Sequence, residues 1–138
     1  MKITLNPRAI LPSQDFLKPQ TVKFISECIV KGNYDDLPPT PIVRQDDLGR
    51  YIAIDGHNLI AVRVFRNENI EVHVAHNDHD GLPEITEENK QRNADLLEKF
   101  DAVVQFQKAA ESKGIRSFED LIKSNPDLFN ESDAGEIG

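Results

Sequence analysis

The chain has 138 residues, 38% hydrophobic and 29% charged, which suits one domain with a single core and an appended helical segment. One cysteine, Cys28, excludes an internal disulfide; no apolar stretch approaches the ~18–20 residues of a membrane span and no secretory leader is legible, so a cytoplasmic protein is expected. The net charge of −8 opposes attraction to a phosphate backbone, and direct DNA binding is not expected without a local basic patch.

Residues 2–5, KITL, alternate and predict a short strand that Pro7 and Pro12 close off, with loop after it. From Pro19 the period becomes helical: proline in the first turn, Val22, Ile25 and Ile29 on one face with Phe24 and Cys28 beside them, and Gly32 just past the end. Cys28 on that apolar face reads as core. Pro38, Pro39 and Pro41 forbid helix and lead into a strand at PIVRQ. Asp46, Asp47 and Gly49 supply turn chemistry for a hairpin whose returning strand is RYIAI.

At Asp55-Gly56 the apolar run stops. HNLIAVRVF fits helix or strand by period, and helix is favoured because a returning strand would need a turn no wider than Asp-Gly. A type I′ hairpin at DG is the competing reading. IEVHVA then sets Ile70, Val72 and Val74 against Glu71, His73 and Ala75, a half-exposed strand. Between Asn67 and Asn89 there are seven acids and no Lys or Arg, the composition of a solvated acidic edge. From Thr86 the apolar positions Ala94, Leu97, Phe100, Val103, Val104 and Ala110 predict one long helix to Gly114, and Ser117 with Asp120 predicts a second helix ending near Asn125-Pro126. The tail from Asn130 is acidic and expected to be disordered.

The ordered set of KITL, a helix ending in glycine, Pro41-Ile42-Val43, a hairpin, YIAIDGHNLIAV (51–62) and IEVHVA resembles the ParB and sulfiredoxin-like fold family, over roughly residues 2–76. Members of that family carry a PI.V strand and a strand reading into DGHHRLAA or GERRLRA. The resemblance implies an α+β fold, a small mixed sheet with helices, in residues 1–80, followed by a C-terminal helical extension at 81–129 and a tail at 130–138. It also implies a phosphate-containing ligand, such as a nucleotide with Mg²⁺, at the DGHN corner. Family members include CTP-hydrolysing partition proteins, a free-amino-acid kinase, nuclease-like proteins and ATP-using sulfiredoxins.

The physical reason is general. A helix that starts directly after a strand leaves its first amides without intrahelical partners, and its dipole adds roughly half a positive charge there. Gly56 would let a phosphate approach the backbone, with His57 and Asn58 as donors to its oxygens. Asp55 would orient His57 or hold a metal ion, making Asp55 and His57 the candidate catalytic pair for phosphoryl-transfer or nuclease-type chemistry. Leu59, however, stands where DGHHRLAA has arginine, so the bidentate cation is missing; Arg63 and Arg66 lie one or two turns beyond it. The sulfiredoxin cysteine is also absent from the motif.

A DNA-partition role would need a basic reader after this domain, but residues 86–138 hold twelve acids against seven Lys and Arg. The long helix is expected to pack on the domain or on a second copy of it. His73, His76 and His79 have the composition of a metal site, but their spacing across a strand end and a loop argues against one. Glu27, Asp35 and Asp36 are candidate bases near the end of the first helix. The alternative function is a catalytically silent relative used for protein recognition through its acidic surface.

Overall fold

A computed structural model describes residues 2–75 and 90–129, with all their side chains except those of residues 90–97. The elements in chain order are β1 (Lys2–Leu5), β2 (Ile10–Leu11), α1 (Pro19–Lys31), β3 (Ile42–Gln45), β4 (Tyr51–Asp55), α2 (His57–Phe65), β5 (Ile70–Val74), α3 (Lys90–Ser112) and α4 (Phe118–Ser124). The fold is α+β. Five strands form one mixed sheet in the order β1-β5-β3-β4-β2. The β1–β5 and β3–β4 pairs are antiparallel, while β3–β5 and β2–β4 are parallel.

Several elements follow from local chemistry. Helix α1 buries Val22, Ile25, Cys28 and Ile29 and stops at Gly32, whose φ of 74° only glycine adopts without strain. Phe24, expected beside that face, stands 49% exposed. The hairpin between β3 and β4 is held by Asp46: its Oδ1 accepts from the amides of Leu48 and Arg50, both at 2.9 Å, and its Oδ2 pairs with the Arg50 guanidinium at 2.8 Å. Helix α4 begins where Ser117 predicts, its hydroxyl accepting from the Asp120 amide at 3.1 Å.

Two further expectations differ from the structure. Ile10 and Leu11, read as loop, form β2 opposite Tyr51 and Ile52 of β4. Two residues carry no period, so only the partner strand reveals them. Ala75 was placed with the exposed positions of β5 but is buried just beyond the strand, where α3 covers it. Of the C-terminal readings, the tail from Asn130 and the start of the long helix at Thr86 lie outside the described residues.

The sheet is buried on both faces near its centre. Alternation puts Val43, Ala53, Ile70, Val72 and Val74 against α1, α2 and α4. Ile42, Ile52 and Ile54 face the other way, onto Phe100, Val103 and Val104 of α3. Helix α3 then reaches the first cluster through Ala110, and the chain beyond it adds Ile115, Phe118 and Leu121. The C-terminal helices are therefore part of the same core that shapes the corner after β4. Among the described residues no helix is long and apolar enough to cross a membrane.

Phe118 is among the largest fully buried side chains, at 1% exposure. Phe118→Ala should lower unfolding stability by about 3–5 kcal/mol in a urea titration. A loss under 1 kcal/mol would make α4 a peripheral appendage.

Candidate functional site

The apolar run of β4 ends at Asp55, and Gly56 turns the chain with φ 93°. A Cβ there would lie 2.6 Å from Pro41 Cβ and 2.9 Å from Pro41 Cα, so the residue must be glycine for conformation and for space. Helix α2 starts at once, its first turn closed by the Ile60 amide donating to the Gly56 carbonyl at 3.0 Å. The buried residues Leu59, Ile60, Ala61, Val62 and Val64 hold it against the core. DGHN is thus a strand-to-helix corner, and the competing hairpin does not form. Gly56 has no side chain with which to cap α2, and no side-chain cap is made.

Asp55, Gly56, His57 and Asn58 all line one cavity of about 350 Å³. Its other walls are Gln14, Phe16 and Lys18 from the segment leading into α1, Thr21 and Ile25 of α1, Pro38-Pro39, Ile54, Leu59, and Lys99 of α3. The N-termini of α1 and α2 therefore open on the same space, and α1 also has no side-chain cap. Both dipoles favour negative charge there.

The two polar side chains expected to reach into this space are largely engaged with the protein. His57 is 4% exposed, and its Nε2 accepts from the Ser13 amide at 3.0 Å. The Ser13 hydroxyl donates to the Ala53 carbonyl at 2.6 Å, lying 3.3 Å from the same Nε2. With Nε2 accepting, the ring proton belongs on Nδ1. The ring also packs on Phe118, with centroids 5.5 Å apart. Asn58 Oδ1 accepts from the Lys18 amide at 2.9 Å, tying the start of α1 to the start of α2.

Burial is the main reason the His57 pKa falls from 6.5 to about 4; the Asp55 carboxylate opposes the fall and the Lys99 ammonium adds to it. At neutral pH His57 is an uncharged brace whose basic nitrogen is occupied. The same bond that holds it also fixes the segment carrying Gln14, Phe16 and Lys18.

The remaining candidates are dispersed. Glu27 lines a separate cavity of about 230 Å³ with Lys23 and Lys31, and Asp35 and Asp36 sit in an exposed turn outside the walls of the corner cavity. Arg63 and Arg66 are held by Glu68 Oε1 at 3.0 and 2.9 Å, and neither lines the corner cavity. His73 is half-buried on β5, whereas His76 and His79 lie outside the described residues. Among the described residues no three metal-ligating side chains cluster. Ser13, Lys18 and Lys99 were not singled out in the sequence: they are ordinary polar residues in ordinary places, and only tertiary packing brings them to the corner.

Comparison with protein-family models, with curated proteins and with solved structures found no match to this chain.

Gly56→Ala should cost roughly 2 kcal/mol or more of stability in denaturant unfolding, because strain and the Pro41 overlap add. Gly114→Ala, which also has positive φ but meets no atom within 4 Å, should cost less. His57 makes stability depend on pH with a defined sign. Below 6.5 the unfolded chain takes up a proton that the folded chain refuses until about pH 4. Stability is therefore lost as pH falls through that window, by about 3 kcal/mol at ~1.4 kcal/mol per pH unit. His57→Gln should flatten the profile between these values; an unchanged slope would refute the assignment.

Proposed function

We propose that this chain is a ParB/sulfiredoxin-like protein that binds a phosphate-containing ligand, a nucleotide, at the DGHN corner, and that it works in the cytoplasm. The observation that carries the reading is Gly56: it starts α2 without a side-chain cap, directly against a cavity of about 350 Å³ onto which the start of α1 also opens. The sequence of α1, β3, β4, α2 and β5 supports this reading, while β2 lies outside the set that carries the resemblance.

Within this reading Gly56 and the first turn of α2 contact the phosphate, and Asn58 links the two helix starts. Asp55 lines the cavity and is suited to a Mg²⁺ held mainly by the ligand's own phosphate oxygens. His57 supports the site by fixing the Ser13 segment; with Nε2 already accepting, it is poorly placed as a general base. Binding is therefore better supported than phosphoryl-transfer or nuclease-type chemistry.

A second reading, a silent relative used for protein recognition, has one specific observation in its favour. Position 59, arginine in the DGHHRLAA pattern, is a leucine 7% exposed and packed into the core.

The two readings separate in a thermal-shift panel of nucleoside mono-, di- and triphosphates with and without Mg²⁺. A bound nucleotide at 100 times its Kd should stabilise the fold by ~2.7 kcal/mol. No shift with any nucleotide at millimolar concentration would overturn the first reading and leave the second.

A further inference from the structure

Resting on the phosphate-binding reading, we propose that Lys18 and Lys99 carry the charge recognition at this corner, in place of a cation at position 59. The need is physical. An anion leaving water needs more than amide dipoles, and here it also meets the Asp55 carboxylate in the cavity wall. Leu59 cannot supply that charge, and Arg63 and Arg66 are engaged by Glu68.

Lys18 and Lys99 are the cationic side chains that line the cavity, and they belong to different parts of the fold. Lys18 stands at the start of α1, its backbone fixed to the corner by the 2.9 Å bond to Asn58 Oδ1. Lys99 comes from α3, which packs on the sheet face opposite α1 and α2, and its charge is felt at His57. Neither ammonium group makes an ion pair or hydrogen bond among the described residues. Lys2, Arg8, Arg44, Arg50 and Lys113 sit within 4 Å of a carboxylate, whereas other surface cations such as Lys23, Lys31 and Lys108 do not among the described residues, so it is their place in the cavity wall that sets Lys18 and Lys99 apart.

A separate observation also points to a ligand. His57 lines the cavity almost wholly buried, and its Nδ1–H, the donor left after Nε2 accepts from Ser13, has no acceptor among the described residues. Buried donors are ordinarily satisfied by protein, water or ligand, so this ring offers a donor to an oxygen that enters the cavity. A phosphate oxygen held by the two lysines and the α2 amides would meet that need.

The test uses the full chain, with ATP and inorganic pyrophosphate as probes, each with Mg²⁺, in calorimetric titrations. Lys18→Gln and Lys99→Gln should each weaken binding about tenfold, near the ~1.4 kcal/mol expected of one charged contact. The double variant should bind more weakly still. Lys99→Arg should retain binding, and Lys108→Gln, on the same helix but outside the cavity wall, should bind like the parent. Both lysines are exposed, so the melting temperature of the free variants should not move. Parent-like binding by Lys18→Gln and Lys99→Gln would overturn this assignment while leaving the phosphate reading intact. Equal weakening by Lys108→Gln would also overturn it, as a general charge effect. No binding by the parent chain would remove the phosphate reading and this one together.

Discussion

The contact between Gly56 and Pro41 sets the geometry of the whole corner. With φ 93° and no space for a Cβ, the backbone of β4 lies directly against the proline that leads into β3. That closeness lets α2 start without an intervening loop. The side chains of α2 then settle against Val43, Ala53 and α1 in the principal core. Where a loop would have let the helix drift, a single glycine ties its position to the sheet.

A second layer of constraint runs through His57. An imidazole in this interior is tolerated because Ser13 donates to it and the ring stays neutral. In return the ring helps to fix a segment that has little regular structure of its own, alongside the Ser13 hydroxyl on Ala53, the Lys18 amide on Asn58 and buried Leu17. The corner is therefore built from four pieces distant in sequence: the approach to α1 with its first turns, the segment 38–41, the β4–α2 junction and the middle of α3. Its shape depends on the C-terminal helices as much as on the motif, since Phe118 of α4 packs on the same ring.

Charge behaves locally, not globally. A chain with net charge −8 repels polyanions at long range, but screening confines that effect to about 10 Å, whereas helix dipoles and lysines at a cavity act at contact distance. The acid content outside the corner disfavours an extended nucleic-acid surface without forbidding a small phosphate ligand. With Leu59 buried, the cations at the corner come from neighbouring elements, Lys18 before α1 and Lys99 on α3.

Local chemistry was enough to place α1 by its proline start and glycine end, the β3–β4 hairpin by Asp46 and Gly49, β5 by its alternation and α4 by its Ser117 cap, because each signal acts over a few residues. The DG step was ambiguous in sequence, since Asp-Gly serves a hairpin tip and a helix start equally well; the packing of α2 on the core decided it. The two residues of β2 and the burial of Ala75 had no readable period, because they are set by a partner strand and by a covering helix. The sequence by itself determined the α+β class and the DGHN corner as a feature. Only the tertiary structure decided that His57 faces Ser13, and that Lys18 and Lys99 share one cavity, because these contacts join residues about 40 or more positions apart and nothing short-range encodes them.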